Sequence, residues 1–208
     1  MRYLYCHGFA SGPSSSKGVK FGEHYAAKGI ALERLNLRVP SFEHLRLSAM
    51  IDVVQNAIDD GAVVFGSSLG GLTAARTAER DPRIKALVLM APAFGLAERW
   101  QDMLGEEFTR WQQTGWREVT DFTTGKPARV DFGFIDDARA IDVGWPDVKV
   151  PTVIVHGVND ETVPVERSRA FAQGRSNVKL VEVDDGHELV KSVPRILAEA
   201  DALLASLP

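Results

Sequence analysis

Gly66-Ser67-Ser68-Leu69-Gly70 constrains this chain more than any other stretch. Before it lies Ala62-Val63-Val64-Phe65, a short apolar run. After it, Leu72 to Arg80 reads as a helix. A G-x-S-x-G turn between a strand and a helix holds its central residue in a strained conformation, with the side chain exposed above the sheet edge. Glycines at 66, 70 and 71 remove the Cβ atoms that would clash where the two backbones pass closely. Ser68 then stands at a helix N-terminus, where free N–H groups and the helix dipole favour negative charge. That setting suits a hydroxyl that attacks a carbonyl and leaves an oxyanion beside it. The five-residue string alone is weak, and the flanking strand and helix give it weight.

Strand and helix patterns alternate along most of the chain. Arg2 to Cys6 reads as a first strand, followed by a glycine- and serine-rich loop from His7 to Ser16. Lys17 to Lys28 is a helix with Gly29 as its C-cap, and Ile30 to Leu37 is a second strand. Val39-Pro40-Ser41 breaks the chain, and a helix beginning near Ser41 carries Leu45, Leu47, Met50, Ile51, Val54 and Ile58 at close to a 3.6-residue period. Further strands are expected at Ala62 to Phe65, Ile84 to Ala91, Val150 to His156 and Val178 to Val183, with helices at Val165 to Gln173 and Leu189 to Leu204. The pattern predicts an α/β fold, a mainly parallel sheet of about six strands flanked by helices. In such sheets the ligand sits beyond the carboxyl ends of the strands, so the loops after strands should hold the chemistry.

One stretch breaks the alternation. Residues from about 95 to 148 contain no simple βα unit but hold all four tryptophans, Trp100, Trp111, Trp116 and Trp145. Trp100, Leu104, Phe108 and Trp111 share one helical face by their spacing. Thr120 to Phe134 reads as two short strands around Thr124-Gly125-Lys126-Pro127. We read the stretch as a cap insertion over the strand ends, within a single domain spanning 1–208. Trp100, Phe108 and Trp111 are its candidates for lining a substrate pocket, unless the aromatics only seal a subsidiary core.

Composition excludes several classes. A net charge of −4 argues against a nucleic-acid partner, which needs a basic face. No apolar stretch approaches the ~20 residues of a membrane span. Met1 to Gly8 runs into a strand rather than a signal peptide, and the single cysteine, Cys6, permits no intrachain disulfide, so a cytoplasmic location is expected. Cys6 itself reads as a small core residue. No metal-ligand motif, Walker loop or dinucleotide fingerprint occurs, so neither metal nor cofactor is expected.

A serine hydroxyl needs a general base, and the base needs a carboxylate to fix its tautomer. Histidine, with an unperturbed pKa of ~6.5, is suited to the first role. Asp160 follows the fifth strand and His187 the sixth, in the order Ser, Asp, His expected for a nucleophile elbow. The rival acids are Asp136 and Asp137 in the insertion, Asp184 and Asp185 beside His187, and Glu161. The rival bases are His7 and His156 at strand ends, which are expected to brace their loops, while His24 and His44 fall on predicted surface helices. The oxyanion donors are expected to be the backbone N–H groups of Leu69 and Phe9, with Ala10 as the alternative to Phe9.

With these residues in view the chain resembles the α/β-hydrolase superfamily. The likeness rests on Tyr5-Cys6-His7-Gly8-Phe9, the elbow at 66–70, His156-Gly157-x-x-Asp160-x-x-Val163-Pro164 and Gly186-His187. More narrowly it is similar to small YqiA/YcfP-type esterases, through His7 to Lys17 and Val39-Pro40-Ser41-Phe42. The resemblance implies a catalytic Ser68, Asp160 and His187, activity on carboxylic esters, and no counterpart of the two N-terminal antiparallel strands of larger members. A small-molecule ester is the expected partner. A thioesterase or an acyltransferase would use the same residues, and a non-catalytic binding protein would need none of the three together.

Overall fold

The computed structural model describes residues 1–207. In chain order its elements are β1 (Arg2–Cys6), α1 (Ser16–Ala26), β2 (Leu32–Leu35), α2 (Leu47–Asn56), β3 (Ala62–Ser67), α3 (Leu69–Arg80), β4 (Ile84–Met90), α4 (Leu96–Leu104), α5 (Glu106–Thr114), β5 (Trp116–Asp121), β6 (Lys126–Asp131), α6 (Gly133–Ile141), β7 (Thr152–Gly157), α7 (Val165–Ala172), β8 (Val178–Val183) and α8 (Val193–Ala205). Six strands form one sheet in the order β2-β1-β3-β4-β7-β8, and each neighbouring pair is parallel. The expected α/β architecture is therefore observed.

The central strands are apolar on both faces because helices cover both. Leu4, Val64, Leu87, Leu89 and Ile154 point into one core, with α2, α3 and Phe171 of α7. Tyr5, Val63, Phe65, Val88, Met90, Val153 and Val155 point into the other, against Phe21 and Tyr25 of α1 and Ile196 and Ala200 of α8. This two-sided burial is what makes β3 and β4 near-continuous apolar runs.

Several boundaries differ from expectation. β2 pairs only over Leu32–Leu35, as an edge strand. α2 starts at Leu47 rather than Ser41, because Arg46 has an extended backbone and its guanidinium reaches Asp131. The helical face through Trp100 and Trp111 is split at Gly105, whose φ of +51 ends α4 and starts α5. Trp100 and Trp111 still meet, with ring centroids 5.9 Å apart. The first strand of the hairpin begins earlier than Thr120, at Trp116, and Phe134 belongs to α6. α8 starts at Val193 rather than Leu189, since Leu189 sits at φ +50 and Pro194 favours a helix's first turn.

Four carboxylates position the insertion. Asp121, at the end of β5, takes two hydrogen bonds from Arg38, at 2.9 and 2.8 Å. Asp131, at the end of β6, takes two from Arg46, at 2.7 and 3.0 Å. Asp137 of α6 accepts from the Ser48 amide and hydroxyl, and Asp142 pairs with the buried Arg76 of α3 at 2.7 Å. Four carboxylates of the insertion thus meet partners on the sheet-and-helix body.

A Cβ on Gly70 would overlap the Cys6 carbonyl and lie 2.6 Å from the His7 carbonyl oxygen. Gly70→Ala should therefore destabilise the fold by about 3 kcal/mol in chemical denaturation, and an unchanged midpoint would contradict the packing. Arg38 holds the Asp121 carboxyl well below the usual carboxylate range, helped by Thr123 and opposed by burial. A depressed folded pKa stabilises above the unfolded value of ~3.9 and is lost as pH falls toward the folded one. The stability gap between wild type and Arg38→Gln should therefore be constant above about pH 5 and shrink below about pH 4. Urea unfolding across that range measures it, and a gap independent of pH would contradict it.

Candidate active site

Ser68 follows β3 and precedes α3 with φ +53 and ψ −116, a region that residues with a Cβ rarely occupy. Its conformation is held on both sides. The Ser68 N–H donates to Met90 O at 2.9 Å, and Ser68 O accepts from the Ala93 N–H at 3.0 Å. The elbow closes because Gly66 and Gly70 lie against each other, where a Cβ on Gly66 would sit 2.7 Å from Gly71 Cα.

His187 lies on the loop after β8 and Asp160 on the loop after β7, and the two loops are laced together. The Asn159 N–H donates to Asp185 O at 3.1 Å, and the Asn159 side chain donates to Asp184 at 2.8 Å. A Cβ on Gly157 would lie 2.8 Å from Gly186 O, so only glycine permits this approach. The Asp185 carboxylate accepts from the N–H groups of Gly186, Lys191 and Ser192 and from the Ser192 hydroxyl. The rivals Asp184 and Asp185 therefore hold the histidine loop in shape.

Within this frame His187 Nδ1 is 2.7 Å from Asp160 Oδ2, and His187 Nε2 is 3.0 Å from Ser68 Oγ. A carboxylate only accepts, so Nδ1 carries the proton and Nε2 is left to accept from the Ser68 hydroxyl. The Asp160 side chain is fully buried, which opposes its ionisation. Hydrogen bonds from His156, His187 and the Val163 N–H outweigh that cost and hold the carboxyl well below its usual range. Oδ1 accepts from the Thr162 and Val163 amides at 2.8 and 2.7 Å.

His156 was expected to brace a loop, and it does so beside the acid. Its Nδ1 accepts from the Ser168 hydroxyl at 2.7 Å, while Nε2 faces Val163 O at 2.8 Å and Asp160 Oδ2 at 3.2 Å. Its contact with the carboxylate was not legible from spacing alone. His7 Nε2 accepts from the Leu37 N–H, and Nδ1–H faces Gly8 O at 2.9 Å. Burial, with Arg38 nearby, lowers the His7 pKa and keeps it neutral. Asp137 bonds Ser48, Asp136 faces Arg139, and Glu161 is exposed. His24 lies on α1 and meets Asp201, whereas His44 sits in a turn rather than a helix, paired with Asp131.

The N–H groups of Phe9 and Leu69 make no hydrogen bond among the described residues. Gly8 passes over the serine, where a Cβ would be 3.4 Å from Ser68 Cβ. The Phe9 ring anchors its loop edge-on to Trp100, at 4.9 Å, and stacked on Phe134, at 5.8 Å. Ala10, the alternative donor, is at φ +55 and its carbonyl accepts from Phe122.

A cavity of about 830 Å³ opens over Ser68 and His187. The insertion contributes Leu96, Arg99, Trp100, Met103, Phe122 and Thr123 to its wall, and the loop after β1 contributes Ser11, Ser14 and Ser15. Of the three candidate aromatics, Trp100 lines the cavity and Phe108 and Trp111 do not. Trp111 is buried with its Nε1–H on Val130 O at 3.0 Å, and Phe108 packs against Trp111 and Phe132. Helical spacing marks an apolar face but not whether that face covers a core or a cavity. Arg99 carried no signal in the sequence beyond an ordinary polar helix position, and Lys17 stood there only as the end of the His7 to Lys17 likeness.

The chain was compared with known proteins. The model of one family, described as "Uncharacterised protein family (UPF0227)", matches residues 2–204. The chain belongs to that family. No curated protein matches the sequence. Among solved structures, this UPF0227 member is similar to alpha/beta hydrolase domain-containing protein 10 from mouse, at 21% identity and a TM-score of 0.81, covering 98% of this chain and 89% of that one. Est1E from Butyrivibrio proteoclasticus matches at 23% identity and a TM-score of 0.75, over 98% of this chain and 88% of that one. The monoacylglycerol lipase of Paleococcus ferrophilus matches at 18% identity and a TM-score of 0.74, over 98% and 93% respectively. The fold is that of the α/β hydrolases, as the sequence resemblance implied. Among the described residues no helix is long and apolar enough to cross a membrane.

The hydrogen-bond directions above can be read without any substrate. Nitrogen-15 NMR should find His187 and His7 protonated at Nδ1 and His156 at Nε2, and Asp160→Asn should remove the fixed tautomer of His187. A His187 found as the Nε2–H tautomer would contradict the geometry.

Proposed function

We propose that this chain is a serine carboxylester hydrolase. The observation that carries the reading is the single imidazole of His187, within hydrogen-bond distance of Ser68 Oγ on one side and the Asp160 carboxylate on the other. Nothing in packing alone requires a buried carboxylate, an imidazole and a strained serine in line at the floor of a cavity.

The chemistry follows from the positions. Ser68 Oγ attacks the ester carbonyl carbon while its proton passes to His187 Nε2. Asp160 stabilises the imidazolium that forms. The carbonyl oxygen becomes an oxyanion, and the free N–H groups of Phe9 and Leu69 are its donors. Collapse breaks the bond to the leaving alcohol, which takes the proton from His187 Nε2 and leaves an acyl group on Ser68. Water then attacks the acyl carbon and gives its proton to His187. The second collapse frees the carboxylic acid and returns the proton to Ser68. Asp160 stays ionised throughout, because its carboxyl is held well below the usual carboxylate range.

The test is hydrolysis of p-nitrophenyl esters of increasing acyl length. Ser68→Ala should lower kcat by on the order of 10⁴-fold or more at the best chain length, while thermal unfolding stays close to wild type. Equal turnover by the two proteins would remove Ser68 from the mechanism.

A further inference from the structure

We propose that the cavity contains an anion subsite built on Arg99, and that the esters cleaved here carry a carboxylate or phosphate group. The inference rests on the hydrolase reading for the word ester, but the subsite itself does not.

Arg99 lies on α4 and forms part of the cavity wall. It is 7% exposed, yet no carboxylate lies within ion-pair distance of it among the described residues. Its Nη1 is taken by Thr162 O at 2.6 Å, and its Nε is buried with no acceptor. Nη2 makes no hydrogen bond among the described residues and is not sealed from solvent as Nε is, so it is the nitrogen left to meet an oxyanion. Burial and the nearby Arg167 lower the Arg99 pKa, and the charges of Asp160 and Asp142, close by but outside ion-pair distance, raise it, leaving it at about 10, so the group is cationic at neutral pH. A buried, unpaired guanidinium is unfavourable by itself, and a bound anion would relieve it.

The rest of the wall agrees in sign. Lys17, Lys20 and Arg99 line the cavity against one carboxylate, Glu188, which Lys17 already pairs at 3.2 Å. The cavity is thus positive in a chain whose net charge is −4. Diffuse surface charge does not explain this, because the chain as a whole has the opposite sign.

The test compares monomethyl esters of dicarboxylic acids, from succinate to suberate, with methyl esters of the matching monoacids, by chromatography of the acids released. A methyl phosphonoalkanoate series forms a second arm. The anionic esters should be preferred in kcat/KM by about 10- to 100-fold at one chain length. Arg99→Gln should collapse that ratio through KM, and Arg99→Lys should restore part of it. Because the ratio is taken within each variant, general damage to the fold cancels. A higher ratio for phosphonates would assign the subsite to phosphate, and a higher ratio for carboxylates to carboxylate. A wild type without anionic preference at any length, or a preference unchanged in Arg99→Gln, would overturn the proposal. Calorimetric binding of the same monoesters to Ser68→Ala and to Ser68→Ala/Arg99→Gln separates the two readings. Binding lost on removing Arg99, with no ester turned over by wild type, would sustain the subsite and reject the hydrolase. Neither binding nor turnover would reject both.

Discussion

The start of α3 lies directly against the end of β1, and the rest of the site depends on that contact. Gly70 sits where a Cβ would run into the carbonyls of Cys6 and His7. The contact brings three things to one place. It lifts Ser68 onto a strained turn above the sheet, leaves the Leu69 amide without a partner at the helix N-terminus, and sets the Gly8-Phe9 loop over the serine. His7 fixes that loop from beneath by accepting from Leu37 on the neighbouring strand's exit. In the proposed hydrolysis the developing charge needs donors already in place, and the unpartnered amides of Phe9 and Leu69 lie at this crossing.

The other half of the site is held by polar contacts as well as by one close approach. The loops after β7 and β8 are joined through Asn159, Asp184, Asp185 and the close approach at Gly157. The insertion is tied to the body by Asp121, Asp131, Asp137 and Asp142. These pairs lie between residues 121 and 142 and join the β5–β6 hairpin and α6 to the body. Breaking the buried Arg76–Asp142 pair from one side would cost about 3–5 kcal/mol.

Much of the fold was legible in the sequence because parallel strands buried on both faces leave unbroken apolar runs, as in β3 and β4. Ser68, Asp160 and His187 were legible as candidates for a related reason. Each follows a strand, and parallel topology brings the carboxyl ends of strands to one edge. The structure places Asp160 and Ser68 at opposite nitrogens of His187, each within hydrogen-bond reach of it. What stayed hidden were the partnerships that join distant segments. Arg76 reads as an ordinary polar position on α3, yet it is buried against Asp142. Phe108, Trp111 and Trp100 share a helical periodicity, but only Trp100 reaches the cavity. Arg99 directly precedes Trp100 and reads as an ordinary polar helix position, and its lack of an ion-pair partner is visible only in three dimensions.

In the proposed mechanism His187 makes Ser68 a nucleophile. Reaction with a serine-directed fluorophosphonate, followed by intact-mass and peptide mass spectrometry, reads this directly. A single adduct per chain is expected, located on Ser68 and formed at a rate that falls by at least about 100-fold in His187→Gln. No adduct on the wild type, an adduct elsewhere, or equal rates in both proteins would contradict it.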